Sequence, residues 1–274
     1  MTESIDSQPD IRDPNVLSLG YSAVYAATPN SATLRRLWHE HAEGLDFPDE
    51  FGHISFVTLA QLRRFAAELR LGPGATLVDL GCGRGGPALW VARETGAKLI
   101  GVDFSPVAVE QARARAAELG LAGRAEFVVG TFADTGLDGA SADGATSEDA
   151  LQYAPDKRAA FAEAARILRP GARIVFTAFE LEPDRVAGLP VFGVDPVADY
   201  RPILSEVGFT VDVYEQVPGW SEPLTATYSA LIDAGETLAQ EMGQAAAAAL
   251  LTELNLTLQQ RPYRSRVFVV ATRG

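Results

Sequence analysis

The 274-residue chain has one cysteine, Cys82, so it can form no internal disulfide framework, and a reducing compartment suits it. Positive charge is also short. Only 23 Lys and Arg stand against 36 Asp and Glu, for a formal net charge of −13. Nucleic-acid binding draws most of its energy from clustered Lys and Arg, which are lacking here, and that argues against a nucleic-acid partner. No apolar run approaches the roughly 20 residues of a membrane span. Met1 to Asp13 carry four acids and one Arg, with no apolar core of a signal peptide. The expectation is a soluble, cytoplasmic protein without a membrane partner. Its length suits one large domain with a cap, and 47% hydrophobic and 22% charged residues are ordinary for a globular chain.

Glycine, by contrast, is concentrated at one place. Residues 77–92 open with the apolar run Leu77-Val78-Asp79-Leu80, place Gly81, Gly83, Gly85 and Gly86 within six residues, and continue from Pro87 in a helical pattern. Strand, glycine turn, helix is the order that builds a nucleotide site. Glycines let the backbone approach a ligand, and the free N–H groups of the helix start face it.

Around this stretch, residues 1–20 read as a flexible tail and 21–70 as a helical cap. Leu34, Leu37, Trp38 and His41 recur at helical spacing, which puts His41 on the apolar side as a core or cleft-lining histidine before a catalytic one. A second helix is predicted from about Ile54 to Arg70, ended by Gly72-Pro73-Gly74. Strands are predicted over 98–103, 126–129, 143–147, 173–179, 209–217 and 265–272. Helices alternate with most of them, capped by Ser105-Pro106 and Asp156. This alternation means a doubly wound α/β sheet, mostly parallel. Residues 180–195 read as a loop and 197–207 as a short helix. Residues 221–260 form a helix-biased insert with five acids and no Lys or Arg.

Gly81-x-Gly83-x-x-Gly86 satisfies the dinucleotide fingerprint, and Asp103 lies where an acid would meet a ribose. Three features point away from a nicotinamide oxidoreductase. Asp79 sits two residues before the first glycine, the site follows a helical cap, and the sheet ends in a hairpin-like pair around the insert. The segments Val78–Gly86, Gly101-Val102-Asp103-Phe104-Ser105 and Ile167-Leu168-Arg169-Pro170-Gly171 resemble the class I, Rossmann-like S-adenosylmethionine-dependent methyltransferases in order and spacing. The surrounding sequence is most similar to the family's small-molecule enzymes of bacterial secondary metabolism.

The resemblance implies a seven-stranded sheet whose last strand inserts antiparallel beside the fifth, with S-adenosylmethionine as cofactor and S-adenosylhomocysteine as product. It implies that Gly81, Gly83 and Gly85 let the backbone pass under the cofactor's amino-acid part, with Cys82 among the cofactor-binding residues, and that Asp79 acts there through water or backbone. Asp103 would accept from the ribose and Phe104 pack on the adenine. Thr131 stands where the family often has an acid, which leaves adenine to backbone groups around Thr131 and Phe132, and Ser147 is added from the fourth strand end. No metal is expected.

Methyl transfer needs alignment above all, and a base only where the acceptor has a proton to lose. Many small-molecule relatives place a histidine after the fourth strand. Here Gln152 and Tyr153 fall at that place, leaving Glu148, Asp149, Tyr153 and His53 as catalytic candidates. Trp38, His41, Phe56, Gln152, Trp220 and Tyr228 are the predicted acceptor wall, suited to a small, largely apolar molecule. The chain is expected to act as a monomer or homodimer. The alternatives kept open are a non-methylating reaction such as cyclisation, or binding alone, on the same fold, and more remotely a nicotinamide oxidoreductase.

Overall fold

The computed structural model describes residues 14–44, 46–186 and 195–274, with side chains from residue 18 onward. Residues 1–13 of the predicted tail and 187–194 of the predicted 180–195 loop lie outside the described residues. Helix α1 (Pro14–Ala27) begins inside the stretch read as tail, so residues 14–20 are helical. Ser31 caps α2 (Ala32–Trp38) by accepting the Leu34 N–H. The chain then passes into a π-helical turn at His39–Glu43. The wider turn changes the side-chain phase, and His41 is exposed rather than on the apolar face.

The second cap helix, α3 (Leu59–Leu69), is shorter than predicted. Thr58 and Gln61 form a reciprocal capping box that fixes its start, and residues 54–57 approach it as non-helical chain. The remaining elements follow the predicted alternation: β1 (Thr76–Leu80), α4 (Gly86–Thr95), β2 (Lys98–Asp103), α5 (Pro106–Glu118), β3 (Ala125–Val129), β4 (Ala142–Glu148), α6 (Lys157–Ile167), β5 (Leu168–Leu181), α7 (Arg201–Glu206) and β6 (Phe209–Gln216). The insert folds as α8 (Ser221–Asp233), α9 (Gly235–Met242) and α10 (Gln244–Gln260), and β7 (Arg264–Arg273) closes the sheet.

Strand order is β3-β2-β1-β4-β5-β7-β6. β1 to β5 pair in parallel, and β7 enters antiparallel between β5 and β6. The order reverses between β1 and β4, and a crevice opens at the carboxyl ends there. One face of the sheet is covered by Phe161, Ile174 and Leu204 with their neighbours, the other by Leu62, Leu89 and Val109 with theirs. A third cluster, including Leu37, Trp38, Leu231 and Leu254, joins the cap to the insert over the crevice. This lid consists of two regions far apart in sequence.

Candidate active site

Gly81 and Gly83 adopt left-handed backbone angles (φ 78° and 49°) immediately after β1. A Cβ on Gly81 would lie 2.7 Å from the Ala150 side chain and 2.8 Å from the Phe132 ring, so both conformation and space require glycine. The Gly81 and Cys82 N–H groups donate to the Val102 carbonyl at 2.9 and 3.0 Å, tying the loop to β2. Asp103, at the end of β2, accepts from Gly83 N–H and Ser105 N–H, both at 2.8 Å. Each carboxylate oxygen keeps a further lone pair for a donor from the cleft. Burial raises its pKa to about 6 against the lowering effect of these two bonds.

Asp79 and Glu148 form a second acidic centre beneath the loop. Both are buried, on the neighbouring strands β1 and β4, and Thr146 Oγ1 donates to Glu148 Oε1 at 2.6 Å. Desolvation and the facing carboxylate push Asp79 well up, and burial raises Glu148 to about 7. Among the described residues Asp79 Oδ1 has no hydrogen-bond partner. Two buried acids that form no salt bridge among the described residues fit a positively charged ligand group at the loop.

The cleft, about 1090 Å³ including its open mouth, is lined on this side by Gly81, Cys82, Gly83, Asp103, Phe104, Phe132 and Glu148. Asp79 lies behind that surface. Phe132 lines the cleft itself, while Thr131, exposed and bonded with Asp134 in a turn, lines a small adjoining pocket with Gly81, Asp103, Phe104 and Phe132. Ser147 spends its hydroxyl on the Leu80 carbonyl at 2.7 Å and serves the β1–β4 seam.

The predicted catalytic residues divide sharply. Asp149 has a positive φ of 54° and holds Arg266 of β7 in a two-pronged salt bridge at 2.8 and 2.9 Å. It also accepts the Phe56 N–H at 2.9 Å. With both oxygens engaged, Asp149 organises the cleft floor and is poorly disposed to accept an acceptor's proton. His53 Nδ1 accepts the Ser55 N–H at 3.0 Å, which leaves the ring proton on Nε2. Burial depresses its pKa to about 4, so it is a neutral donor, and Nε2 has no partner.

Tyr153 lines the cleft and donates to Glu253 Oε1 of α10 at 2.7 Å. Tyr21 of α1 donates to the same oxygen at 2.7 Å. Burial raises the pKa of Glu253 against the lowering effect of the two phenols. Sequence reasoning missed Tyr21, Tyr25, Glu253 and Arg266. A signal existed for Glu253, an acid on the helical stripe of Leu250, Leu254 and Thr257. Tyr21 and Tyr25, four residues apart, mark one face of a helix within and just past the presumed tail.

Of the predicted acceptor wall, Trp38 and Tyr228 line the cleft. Phe56 stacks behind them, its ring centroid 5.5 Å from each. Gln152 turns back to the Asp149 carbonyl, and Trp220 packs on Phe179 away from the cleft. His41 is exposed and does not line it. Among the described residues no cluster of His, Cys, Asp and Glu suits a metal ion, and no helix is long and apolar enough to cross a membrane.

Residues 78–176 match the methyltransferase domain family. That span belongs to it. The enzyme class and cofactor implied by the three sequence segments stand with this match: an S-adenosylmethionine-dependent methyltransferase. The 27-O-demethylrifamycin SV methyltransferase of Amycolatopsis mediterranei is 28% identical over 221 residues, 77% of this chain and 79% of that protein. The 24-methylenesterol C-methyltransferase 2 of Oryza sativa subsp. japonica is 38% identical over 112 residues, 41% of this chain but only 31% of that protein. Among solved structures, the [4+2]-cyclase SpnF superposes with a TM-score of 0.74 at 22% identity, covering 94% of each chain. At that identity the likeness is one of fold.

Proposed function

We propose that this protein methylates a small molecule held between the glycine loop and the lid. The observation that carries the reading is the pairing of two buried acids, without a salt bridge among the described residues, at a glycine loop with a cleft closed by aromatic side chains. Glu148, backed by Asp79, would face the cofactor's charged amino-acid end, Asp103 its ribose, and Phe104 and Phe132 its base. When bound, S-adenosylmethionine supplies an electrophilic methyl group on a sulfonium leaving group. The chain's own task is alignment and exclusion of water.

Tyr21, Trp38, Tyr153, Tyr228, Leu250 and Leu254 supply the largely apolar opposing wall. Their character suits a natural-product type of acceptor, in keeping with the name of the rifamycin relative. Where the acceptor atom carries a proton, Glu253 is the favoured receiver, since it lines the cleft half-buried at the lid and needs only one of its oxygens for the two tyrosines. A monomer or homodimer in the cytoplasm remains part of this reading.

A second reading, cyclisation without methyl transfer, is favoured by one observation. The end-to-end superposition on a cyclase coincides with a strand end where Asp149 is occupied by Arg266. Incubating candidate acceptors with methyl-labelled cofactor separates the two. Label in the product supports methylation; a converted acceptor without label overturns it. Calorimetry with S-adenosylhomocysteine and NADH tests the cofactor, and binding of NADH alone would reject both readings.

A further inference from the structure

The cleft does not end at His53. Beyond the wall formed by Leu34, Trp38, His53, Ile54 and Arg84 lies a second pocket, reached by Arg35 and Arg115 from its far side. In a chain of net charge −13 this gathering of guanidinium groups is unusual. Among the described residues neither Arg84 nor Arg115 forms a salt bridge; Arg115 donates to the Gly52 carbonyl at 2.7 Å. Arg84 Nε is buried without a hydrogen-bond partner. His53 Nε2, a neutral N–H on the same shared wall, is also buried and unpartnered. Both orphaned atoms at this junction are donors.

The acids of the pocket are spoken for. Glu43 accepts the His53 N–H at 2.8 Å and faces His39 at 3.2 Å, and Asp49 lies 3.6 Å from His39. Burial and the neighbouring guanidinium groups lower the pKa of both arginines, Arg115 to about 10. Glu118 and Glu43 offset this only in part for Arg115, and among the described residues neither comes within salt-bridge distance of it. An unpaired buried donor costs on the order of 1–3 kcal/mol, and more for a charged group. The missing partner is therefore an acceptor-rich anion.

We propose that Arg84, His53 and Arg115 bind a carboxylate or phosphate group of a ligand lying in the cofactor cleft. The proposal rests on the methyltransferase reading of that cleft, and it extends the acceptor class to small acids, which the acidic insert alone would not suggest. Two sources can deliver the group: an acidic acceptor, or the carboxylate of the cofactor itself.

The arms of one experiment separate these sources. S-adenosylhomocysteine and decarboxylated S-adenosylmethionine are titrated calorimetrically into wild type, Arg84→Gln and Arg115→Gln, with unchanged melting temperature as the folding check. If the cofactor supplies the anion, the variants weaken S-adenosylhomocysteine about tenfold to a hundredfold and leave the decarboxylated compound unchanged. If the acceptor supplies it, S-adenosylhomocysteine binds the variants normally. Wild type saturated with it then takes up inorganic phosphate, and Arg84→Gln does not. Unchanged S-adenosylhomocysteine affinity together with no phosphate uptake by the saturated wild type overturns the proposal. Should a variant misfold, Arg84→Lys, which keeps the charge but loses the planar fork, is expected to fall between wild type and Arg84→Gln. Failure of wild type to bind S-adenosylhomocysteine at all would instead sink the cofactor reading.

Discussion

The loop wall of the cleft and the lid wall opposite it are made from different parts of the chain. On the loop wall, consecutive residues after β1 present backbone: Gly81 and Gly83 lie under the ligand space, and two amides hold Asp103 in place. On the lid wall, side chains from α1, the segment after β4, and α10 meet on one carboxylate, Glu253. The two walls are joined through the floor, where Arg266 of β7 grips Asp149 beyond β4. Backbone recognition tolerates little change at the glycines. Side-chain recognition can be retuned one residue at a time, which suits the wall that chooses the acceptor.

Breaking the floor should have the largest effect. Arg266 is 1% exposed, and Arg266→Met leaves Asp149 buried without its partner, for an expected loss of about 3–5 kcal/mol in urea unfolding. A loss below about 1 kcal/mol would show that the pair does not organise the cleft.

Next comes the acid centre of the loop wall. Glu148 is raised to about 7 in the folded chain, above its unfolded value near 4.3. The folded state therefore holds a proton that the unfolded state has already lost. Its contribution is fully present below about 4.5 and is lost as pH rises through 7. His53, lowered to about 4, has the opposite sign between about 4 and 6.5, but wild type and Glu148→Gln share it. The variant should thus gain on wild type by on the order of 3 kcal/mol between pH 4.5 and 7.5, part of it through Asp79, which Glu148 helps to raise, measured by denaturant unfolding across pH. A constant difference would mean that Glu148 is ionised throughout.

On the lid wall, Glu253→Gln keeps the shape and removes the charge. We expect turnover of a proton-bearing acceptor to fall about tenfold to a hundredfold, with S-adenosylhomocysteine affinity within about twofold of wild type. If affinity and turnover fall together, the two walls do not act separately. The smallest effects belong to residues that the sequence placed on the lid wall and the structure does not. His41→Ala and Trp220→Ala should each leave the acceptor KM within about twofold, and a larger rise for either would restore it to the wall.

The sheet was legible because it repeats a local signal. Apolar runs such as Leu99-Ile100-Gly101-Val102 and caps such as Ser105 and Asp156 mark each unit without reference to the rest of the chain. The loop wall follows from the same signal, since Asp79, Gly83 and Asp103 lie at strand ends. The lid wall depends on contacts over long separations: 232 residues part Tyr21 from Glu253, and 117 part Asp149 from Arg266. No pattern within a window of helix length carries those. His41 was misplaced for a local reason, because a 3.6-residue period was continued through a π-helical turn.

Tyr25 of α1 lies over the glycine loop, its hydroxyl 2.9 Å from where a Cβ on Gly83 would stand. A roof so close to the loop would make entry and exit matters of time as well as fit if a ligand has to pass beneath Tyr25. Association should then run well below the diffusional ceiling of ~10⁸–10⁹ M⁻¹s⁻¹. In stopped-flow fluorescence, Tyr25→Ala should speed S-adenosylhomocysteine arrival and departure together, with the ratio of the two rates shifting less than either. Equal rates in variant and wild type would show the roof to be open at rest.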